Sequence, residues 1–307
     1  MNQTIPVNPE LLAEFTHWWN QNKTRNWSCL WRRKSVWLGQ LMQKIGWHQE
    51  IDVPLFWGEK MRVITGETIS RQILVFGYSE VALTTLMLCL IEPGQTVIDV
   101  GTHFGYEAML AARLVGSTGR VFSFEPSSEA YKLANKNLAR FSQNILYQKA
   151  VADRTGVLSL QDRPIWESAF NSCVLDTDEQ NITTVPVTTL DITLENYEKP
   201  VDFIKCDVEG LEILVMKGAH HILLKDAPVL VLEADMPSRT GKTSARTYQL
   251  SSHLEKYGYQ AFNFDFDGNF KIGLLNSFPV HHANIAFIPK SRTDILEKFG
   301  EVKNKDR

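Results

Sequence analysis

The sequence is poor in cysteine, and the few cysteines that it has are widely separated. The 307-residue chain contains four of them: Cys29, Cys89, Cys173 and Cys206. No two of them form a CxxC pair, which argues against a disulfide framework and against a zinc knuckle. We therefore expect free thiols in a reducing compartment.

Long apolar runs and an excess of basic charge are also missing. The longest apolar stretch, VALTTLMLCLI, is well short of the roughly 20 residues that span a bilayer, and it predicts a buried helix instead. The first residues, MNQTIPVNPELL, have neither the basic start nor the apolar core of a secretory signal. The net charge of −3 provides no general attraction to nucleic acid or anionic lipid. We predict a soluble, cytoplasmic protein without a transmembrane segment or a nucleic-acid partner.

Tryptophan is concentrated near the N-terminus. Seven of the eight tryptophans fall within residues 1–60, where basic residues are interleaved with them in KTRNWSCLWRRKSVW. We predict that residues 1–60 form a helical extension whose aromatic side chains pack on the main domain or on a second copy of the chain. The alternatives are a lid over the substrate and a surface that docks on an acidic or membrane partner.

A strand–helix alternation begins near Thr96 and defines the main domain, residues 61–295. TVIDVG is a short apolar run typical of a strand covered on both faces, and YEAMLAARLV has helical spacing. The pattern recurs in RVFSFEP, SSEAYKLANKNLARF and later segments, which predicts an α/β fold with a mainly parallel sheet and helices on both faces. GVLSLQD and ITTVPVTTL predict an antiparallel insertion, DFDGNF a hairpin turn, and residues 296–307 a polar tail.

The ends of the first two predicted strands carry the candidate cofactor site. In open parallel sheets, ligands bind beyond the carboxyl ends of the strands. The first strand ends in IDVGTHFGY, where Asp99 precedes a tight turn that contains Gly101 and Gly105 and leads into a helix. The second strand ends in Glu125, before Pro126, and a carboxylate there can accept hydrogen bonds from both hydroxyls of a ribose. A glycine turn followed about 20 residues later by an acid indicates a nucleoside site.

The same turn favours S-adenosylmethionine over a dinucleotide. A dinucleotide needs a GxGxxG turn around its pyrophosphate, and the turn here is GTHFG at 101–105. Asp99 would repel a pyrophosphate, but it suits a cofactor that carries a positively charged amine. An NAD-dependent oxidoreductase is therefore disfavoured.

Several motifs make the chain resemble the FkbM-type methyltransferases. FGYSEVALTTLMLCLIEPGQTVIDVGTHFGYEAMLAARLVGSTGRVFSFEPS resembles the cofactor half of that family, and KAVADRTGVLSL resembles its third-strand block. VTTLDITLENYEKPVDFIKCDVEGLEILVMKGA resembles its signature, and VLVLEAD and NIAFIPK resemble its closing strands. The resemblance covers residues 64–289 and implies a class I, S-adenosylmethionine-dependent O-methyltransferase. It also implies a Rossmann-like sheet of seven strands, the last antiparallel, and acceptors such as sugars, polyketides and other small hydroxylated molecules.

The resemblance carries the residues of the two strand ends over as cofactor-binding positions. It adds two positions after the third strand that would lie near the adenine, Val151 and Asp153. With their neighbours in the turns, the predicted cofactor-binding residues are Asp99, Gly101, Thr102, His103, Gly105, Glu125, Pro126, Val151 and Asp153. His103 is a departure from the family, which more often has Asn at this position.

The charged end of VDFIKCDVEG carries the candidate catalytic residues, Lys205, Asp207 and Glu209. Methyl transfer to a hydroxyl requires the loss of its proton, so a nearby base helps, as does a metal that lowers the hydroxyl's pKa. We expect Asp207 to face the acceptor; the alternative is a structural hydrogen-bond acceptor. Glu209 is either a second catalytic carboxylate or a cap on the following helix. Lys205 is expected to pair with the acids.

A divalent metal is compatible with these residues but not expected. Glu233 and Asp235 end the fifth strand and form, with Asp207 and Glu209, an oxygen-rich set of the kind that Mg²⁺ accepts. We predict an O-methyltransferase that uses S-adenosylmethionine on a small hydroxylated acceptor: a sugar, a glycan precursor or a secondary metabolite. The alternative is a non-catalytic interaction module that docks through its N-terminal aromatic and basic segment.

Overall fold

The architecture comes from a computed structural model that describes residues 8–24, 48–162, 164–165, 172–173, 182–234, 244–280 and 282–298. The N-terminal part contains the elements α1 (Pro9–Thr24), β1 (Glu50–Pro54), β2 (Lys60–Ile64), α2 (Thr68–Phe76) and α3 (Val81–Leu90). Strands β1 and β2 form an antiparallel hairpin. Helix α3 is the stretch that the sequence predicts as a buried helix, and nine of its ten residues are buried.

The strand–helix alternation predicted from Thr96 onward is present. Up to the insertion it contains β3 (Thr96–Val100), α4 (Tyr106–Val115), β4 (Arg120–Phe124), α5 (Ser128–Leu138), β5 (Asn144–Tyr147), β6 (Ala150–Val151), β7 (Gly156–Gln161), β8 (Ser172–Cys173) and β9 (Ile182–Thr188). It continues with α6 (Leu190–Thr193), β10 (Phe203–Cys206), α7 (Glu212–Lys217), α8 (His220–Lys225), β11 (Val229–Glu233), α9 (Ala245–Glu255), β12 (Tyr259–Phe266), β13 (Phe270–Leu274), β14 (Asn284–Pro289) and α10 (Thr293–Lys298).

Eight strands form the central sheet, in the order β13-β12-β14-β11-β10-β3-β4-β5. Strands β5, β4, β3, β10 and β11 run parallel, whereas β14 runs antiparallel to both of its neighbours, β11 and β12. The predicted mainly parallel sheet with an antiparallel last strand is thereby confirmed. The expected number of seven strands is one too few, because the chain turns back at DFDGNF and β13 pairs with β12 at the edge of the sheet.

The predicted antiparallel insertion forms a small sheet of its own, in the order β6-β9-β7-β8. Strand β7 pairs antiparallel with β9 and β8, whereas β6 pairs parallel with β9. Because β6 follows directly on β5 of the central sheet, the insertion stands next to the carboxyl edge of the central strands.

Successive residues of the central strands alternate between two apolar layers. Val97 and Phe203 pack in one layer with residues of α3 and α4, and Ile98 and Ile204 pack in the other with residues of α7 to α9. Helices therefore cover both faces, as predicted. The same period of two explains the charges of β10: Lys205 shares its face with Phe203, and it is the face that α3 and α4 cover.

Helix α1 packs on the main domain through its aromatic side chains. The Phe15 ring is fully buried, with its centroid 4.8 Å from that of Phe56 and 5.7 Å from that of Phe266. The Trp18 indole nitrogen donates a hydrogen bond of 2.5 Å to the carbonyl oxygen of Phe76. For α1 this agrees with the prediction that the N-terminal aromatics pack on the main domain. Four of the N-terminal tryptophans lie outside the described residues: Trp27, Trp31, Trp37 and Trp47.

Within the described ranges, no single helix is long and apolar enough to cross a membrane. Helices α2 and α3 reach that length and composition only as a pair, and the chain bends by 68° between them.

Candidate active site

A cavity opens at the carboxyl edge of the central sheet, where β3, β4 and β10 end. Seven of the twelve predicted site residues line it: Gly101, His103, Glu125, Pro126, Val151, Asp207 and Glu209. Ile69 of α2 and Leu160 of β7 also line it. The site thus joins the predicted strand ends to two further elements, helix α2 and the predicted insertion, neither of which the sequence assigned to the cofactor site.

Glu125 is held at the end of β4 by the backbone. Its Oε2 accepts a hydrogen bond from the His103 N–H at 2.8 Å, and its Oε1 accepts one from the Ser127 N–H at 2.9 Å. Burial raises the pKa of Glu125 to about 7, against the pull of these two donors. Each carboxylate oxygen keeps a second lone pair, so the anchored group can still accept hydrogen bonds from two hydroxyls.

The glycine turn after β3 has a structural cause. Gly101 has a φ of +78°, and a Cβ atom there would lie 1.8 Å from the carbonyl oxygen of Asp207. Glycine is therefore required by the close approach of the segment after β10, and not only by a ligand. His103 also has a left-handed backbone, with a φ of +49°, which asparagine adopts more readily than most side chains. Burial, with Lys205 nearby, lowers the pKa of His103 to about 3 and keeps its imidazole neutral.

Asp99 and Lys205 form a buried ion pair beneath the turn. The Lys205 Nζ lies 3.5 Å from Asp99 Oδ1 and 4.0 Å from Asp207 Oδ2, and it donates a 2.9 Å hydrogen bond to the carbonyl oxygen of Gly101. The Thr102 hydroxyl donates to the other oxygen of Asp99. Burial opposes the charge of Lys205, but Asp99 and Asp207 outweigh it and raise its pKa above the usual value. Of the two acids predicted as partners of Lys205, Asp207 lies within ion-pair distance, but Asp99 is closer. Asp99 lies beneath the cavity and does not line it.

Asp207 and Glu209 follow β10 and reach the cavity in different ways. The side chain of Asp207 is 31% exposed, and Glu209 is an exposed residue with a left-handed backbone, φ +53°. No side chain caps the following helix at its N-cap residue, Leu211, so the alternative of Glu209 as a helix cap is not supported. The turn before that helix is held by Glu212, whose Oε1 accepts hydrogen bonds from the N–H groups of Val208 at 3.1 Å and Gly210 at 3.3 Å. Glu209 lines the cavity.

Glu233, at the end of β11, joins these acids. One carboxylate oxygen each from Asp207, Glu209 and Glu233 lie within 4.8 Å of one another. Burial and the charge of Asp207 raise the pKa of Glu233. The Arg246 guanidinium lies 3.3 Å from Glu233 Oε2 and 2.5 Å from Glu212 Oε2. Asp235, the other acid predicted for this cluster, lies outside the described residues.

Two glutamates that sequence reasoning missed line an adjoining cavity. Glu80 and Glu107 line it together with Lys205 and Asp207. Burial raises the pKa of both glutamates, and Glu80 accepts hydrogen bonds of 3.2 Å from the Asn284 amide. Both stand at helix N-termini, where an acid is ordinarily explained by the helix dipole, so no local signal marks them.

The remaining predicted cofactor residues are divided between the cavities and the surroundings. Val151 is buried and lines the first cavity, and Thr102 is buried and lines the second. Gly105 has a φ of +95° at the start of α4, and neither cavity includes it. Asp153 is exposed, with its carboxylate 3.9 Å from the Arg154 guanidinium, and it too lies outside both sets of lining residues.

The strand order defines the class of the protein. Five parallel strands with an antiparallel strand inserted beside β11, and a cavity beyond the ends of β3 and β4, are the arrangement of a class I methyltransferase. Residues 99–261, slightly more than half of the chain, match the family model of the methyltransferase FkbM domain. The chain belongs to the FkbM methyltransferase family, as the sequence motifs indicated.

Individual known proteins are similar over shorter or more divergent stretches. A protein-L-isoaspartate O-methyltransferase from Methanothermobacter thermautotrophicus is 32% identical over 88 residues, which are 29% of this chain and 35% of that protein. The chain spans about a quarter to a third of the length of the curated relatives that it matches.

Two solved structures are similar in fold at low identity. Methyltransferase FkbM from Methylobacillus flagellatus is 15% identical, with a TM-score of 0.42 over 71% of this chain and 53% of that chain. Aeropyrum pernix fibrillarin, crystallised with S-adenosyl-L-methionine, is 14% identical, with a TM-score of 0.43 over 67% of this chain and 71% of that chain.

Proposed function

We propose that this protein transfers a methyl group from S-adenosylmethionine to a hydroxyl oxygen of a small acceptor, such as a sugar, a glycan precursor or a secondary metabolite. The observation that carries the proposal is that Gly101, His103 and Asp207 line both cavities. A nucleoside held in the first cavity by Glu125 would direct its reacting end toward that junction. An acceptor entering from the second cavity would meet it beside Asp207.

The residues present fit this cofactor. Glu125 is anchored by two backbone N–H groups and retains lone pairs for ribose hydroxyls, and Val151 and Pro126 offer apolar walls to a base. The acids around the junction outnumber the nearby cations, Lys205 and Arg246, so the site suits a ligand of positive charge. S-adenosylmethionine, when bound, supplies a methyl group on a positively charged sulfur.

The chain's own catalytic work would be proton removal and positioning. Asp207, at the junction and 31% exposed, is the carboxylate best placed to accept the proton of an acceptor hydroxyl. Lys205 donates a hydrogen bond to the carbonyl of Gly101 and faces Asp207, so it would fix the position of Asp207 relative to the glycine turn. Glu209 would face the acceptor from the exposed side of the cavity.

The alternative function, a non-catalytic interaction module that docks through the N-terminal segment, explains less. Burying carboxylates without full compensation is costly. A module with no ligand would have no use for Glu80, Glu107 and Glu233, whose pKa values are all raised by burial. Assembly into homo-oligomers through the N-terminal extension stays a prediction.

Titration calorimetry with S-adenosylhomocysteine tests the cofactor assignment. We expect wild-type protein to bind it and Glu125→Ala to weaken it on the order of 30-fold, because a charged hydrogen-bond partner is lost. The matched control is Glu129→Ala, an exposed acid in the first turn of α5 that should leave binding unchanged. If wild type does not bind, the proposed function is wrong.

The role of Asp207 is tested by the Asp207→Asn variant, once a hydroxylated acceptor that supports turnover has been found. We expect formation of S-adenosylhomocysteine to slow by 10²-fold or more, the usual scale for loss of a general base. Binding of S-adenosylhomocysteine should persist. Unchanged turnover would show that another group removes the proton.

A further inference from the structure

We propose that Asp207, Glu209 and Glu233 bind a divalent cation with oxygen preference, of the Mg²⁺ or Ca²⁺ class, on the acceptor side of the site. This goes beyond the proposed function, and cation binding can be measured without any methyl acceptor. The sequence alone did not lead us to expect a metal. Three features of the tertiary structure now favour a bound cation: the strand register, the spacing of the carboxylate oxygens and a buried amide.

The register brings oxygen-bearing side chains of neighbouring strands into one row. Cys206 of β10 pairs with Leu232 of β11, so the following residue, Asp207, comes beside Glu233. Glu233 in turn pairs with Asn284 of β14. Residues that are paired across neighbouring strands project to the same face of the sheet, with Cβ atoms about 5 Å apart. Three strand ends thus present a carboxylate, a carboxylate and an amide side by side.

The spacing of the oxygens suits a shared cation. One oxygen each from Asp207, Glu209 and Glu233 lie within 4.8 Å of one another. Mg²⁺ and Ca²⁺ bind oxygen at roughly 2.0 to 2.6 Å, so two oxygens on opposite sides of the ion are about 4 to 5 Å apart. The three carboxylates could therefore share an ion with side-chain adjustments alone.

The neighbouring cations, Lys205 and Arg246, do not occupy all the carboxylate oxygens of Asp207 and Glu233. Lys205 is committed to the Gly101 carbonyl and lies closer to Asp99, at 3.5 Å, than to Asp207, at 4.0 Å. Arg246 lies 3.3 Å from one oxygen of Glu233, and a carboxylate has two.

Asn284 provides an independent sign of a ligand. The residue is only 3% exposed, and its Nδ2 donates hydrogen bonds of 3.2 Å to both oxygens of Glu80. That contact fixes the amide, and its Oδ1 has no hydrogen-bond partner in the described part of the chain. A buried amide oxygen beside Glu233 without a partner is costly, and amide oxygens are ligands that hard divalent cations accept.

A cation here would act on the acceptor. Coordination lowers the pKa of a bound hydroxyl, which eases loss of its proton. In that case Asp207 would hold the ion, and the proton would leave to another group or to water.

Mn²⁺ titration followed by electron paramagnetic resonance tests the site, with calorimetry for Mg²⁺ and Ca²⁺. We expect saturable binding of one ion to the full chain. Glu209→Gln should weaken it on the order of 10-fold or more, because a charged ligand is lost. Glu209 is exposed, so this variant should fold normally. The matched control is Glu255→Gln, an exposed acid of α9 outside the cluster, which should bind as wild type does.

The proposal is overturned if wild type shows no saturable Mn²⁺ binding at millimolar concentration, or if Glu209→Gln binds as tightly as Glu255→Gln. Binding of S-adenosylhomocysteine, measured on the same samples, separates this result from the proposed function. Protein that binds S-adenosylhomocysteine but no cation would refute only the cation site.

Discussion

Carboxylates stand at the end of β4 and at the ends of β10 and β11, but their interaction partners differ. The carboxylate at β4 is bound by backbone N–H groups, whereas those at β10 and β11 face cationic side chains. Glu125, at β4, receives two backbone N–H groups at 2.8 and 2.9 Å. For Asp207 and Glu233, the described residues provide no backbone donors; their charges face Lys205 at 4.0 Å and Arg246 at 3.3 Å. Backbone donors hold a carboxylate in one place, whereas flexible cations allow it to change partners. The Glu125 end of the cavity is thus preformed, whereas the carboxylates of Asp207 and Glu233 can change partners.

The largest loss in the free energy of unfolding is expected when Lys205 is removed. Lys205→Met leaves Asp99 buried without its cation, and loss of one partner of a buried pair costs about 3–5 kcal/mol in the free energy of unfolding. Urea denaturation measures the change. The control is Lys271→Met, which removes an exposed cation 2.6 Å from Asp267 and should leave stability nearly unchanged. Equal effects of the two substitutions would contradict the comparison.

The second-largest effect is expected in the pH dependence of stability, through the buried carboxyl of Glu125. Burial raises the pKa of Glu125 from 4.5 to about 7, so the native state holds this proton more tightly than the unfolded chain does. The contribution of Glu125 to stability is therefore highest below pH 4.5 and falls as the pH rises to about 7. The shift corresponds to about 3 kcal/mol.

Glu125→Gln is the variant that isolates this effect. Its free energy of unfolding should rise relative to that of wild type between pH 4.5 and 7, and the difference should be constant above that range. Denaturation at a series of pH values gives both curves. A difference that does not change with pH would mean that Glu125 ionises normally in the folded protein.

The smallest effect on stability is expected at Glu209, which lies exposed at the edge of the cavity. Glu209→Gln, measured in the presence of a chelator, should change the free energy of unfolding by no more than about 0.5 kcal/mol, because the side chain is exposed and Glu212 holds the turn. A loss of several kcal/mol would show that Glu209 has a structural role. In that event its substitution could not be used to test the cation site.

Residues whose position follows from the local pattern were predictable. The apolar runs of β3 and β4 indicate where each strand ends, so Asp99 and Glu125 could be placed at the carboxyl edge. Gly101 was also predicted, although glycine is required there by the carbonyl oxygen of Asp207, in the segment that follows β10. Glu80 and Asn284 could not be found, since they meet only because residues 204 positions apart come together in the fold.

By itself the sequence determined the alternation of strands and helices and the antiparallel insertion, because these depend on period and on neighbours in the chain. Only the tertiary structure decided which hydrogen-bond donor or cation each acidic side chain contacts. Glu212 accepts hydrogen bonds from the turn after β10, whereas Glu209 does not cap the helix that follows. Asp99 lies closer to Lys205 than Asp207 does, and β13 adds the eighth strand. Charge partnership depends on distances between strands that are far apart in sequence, and register and packing set those distances.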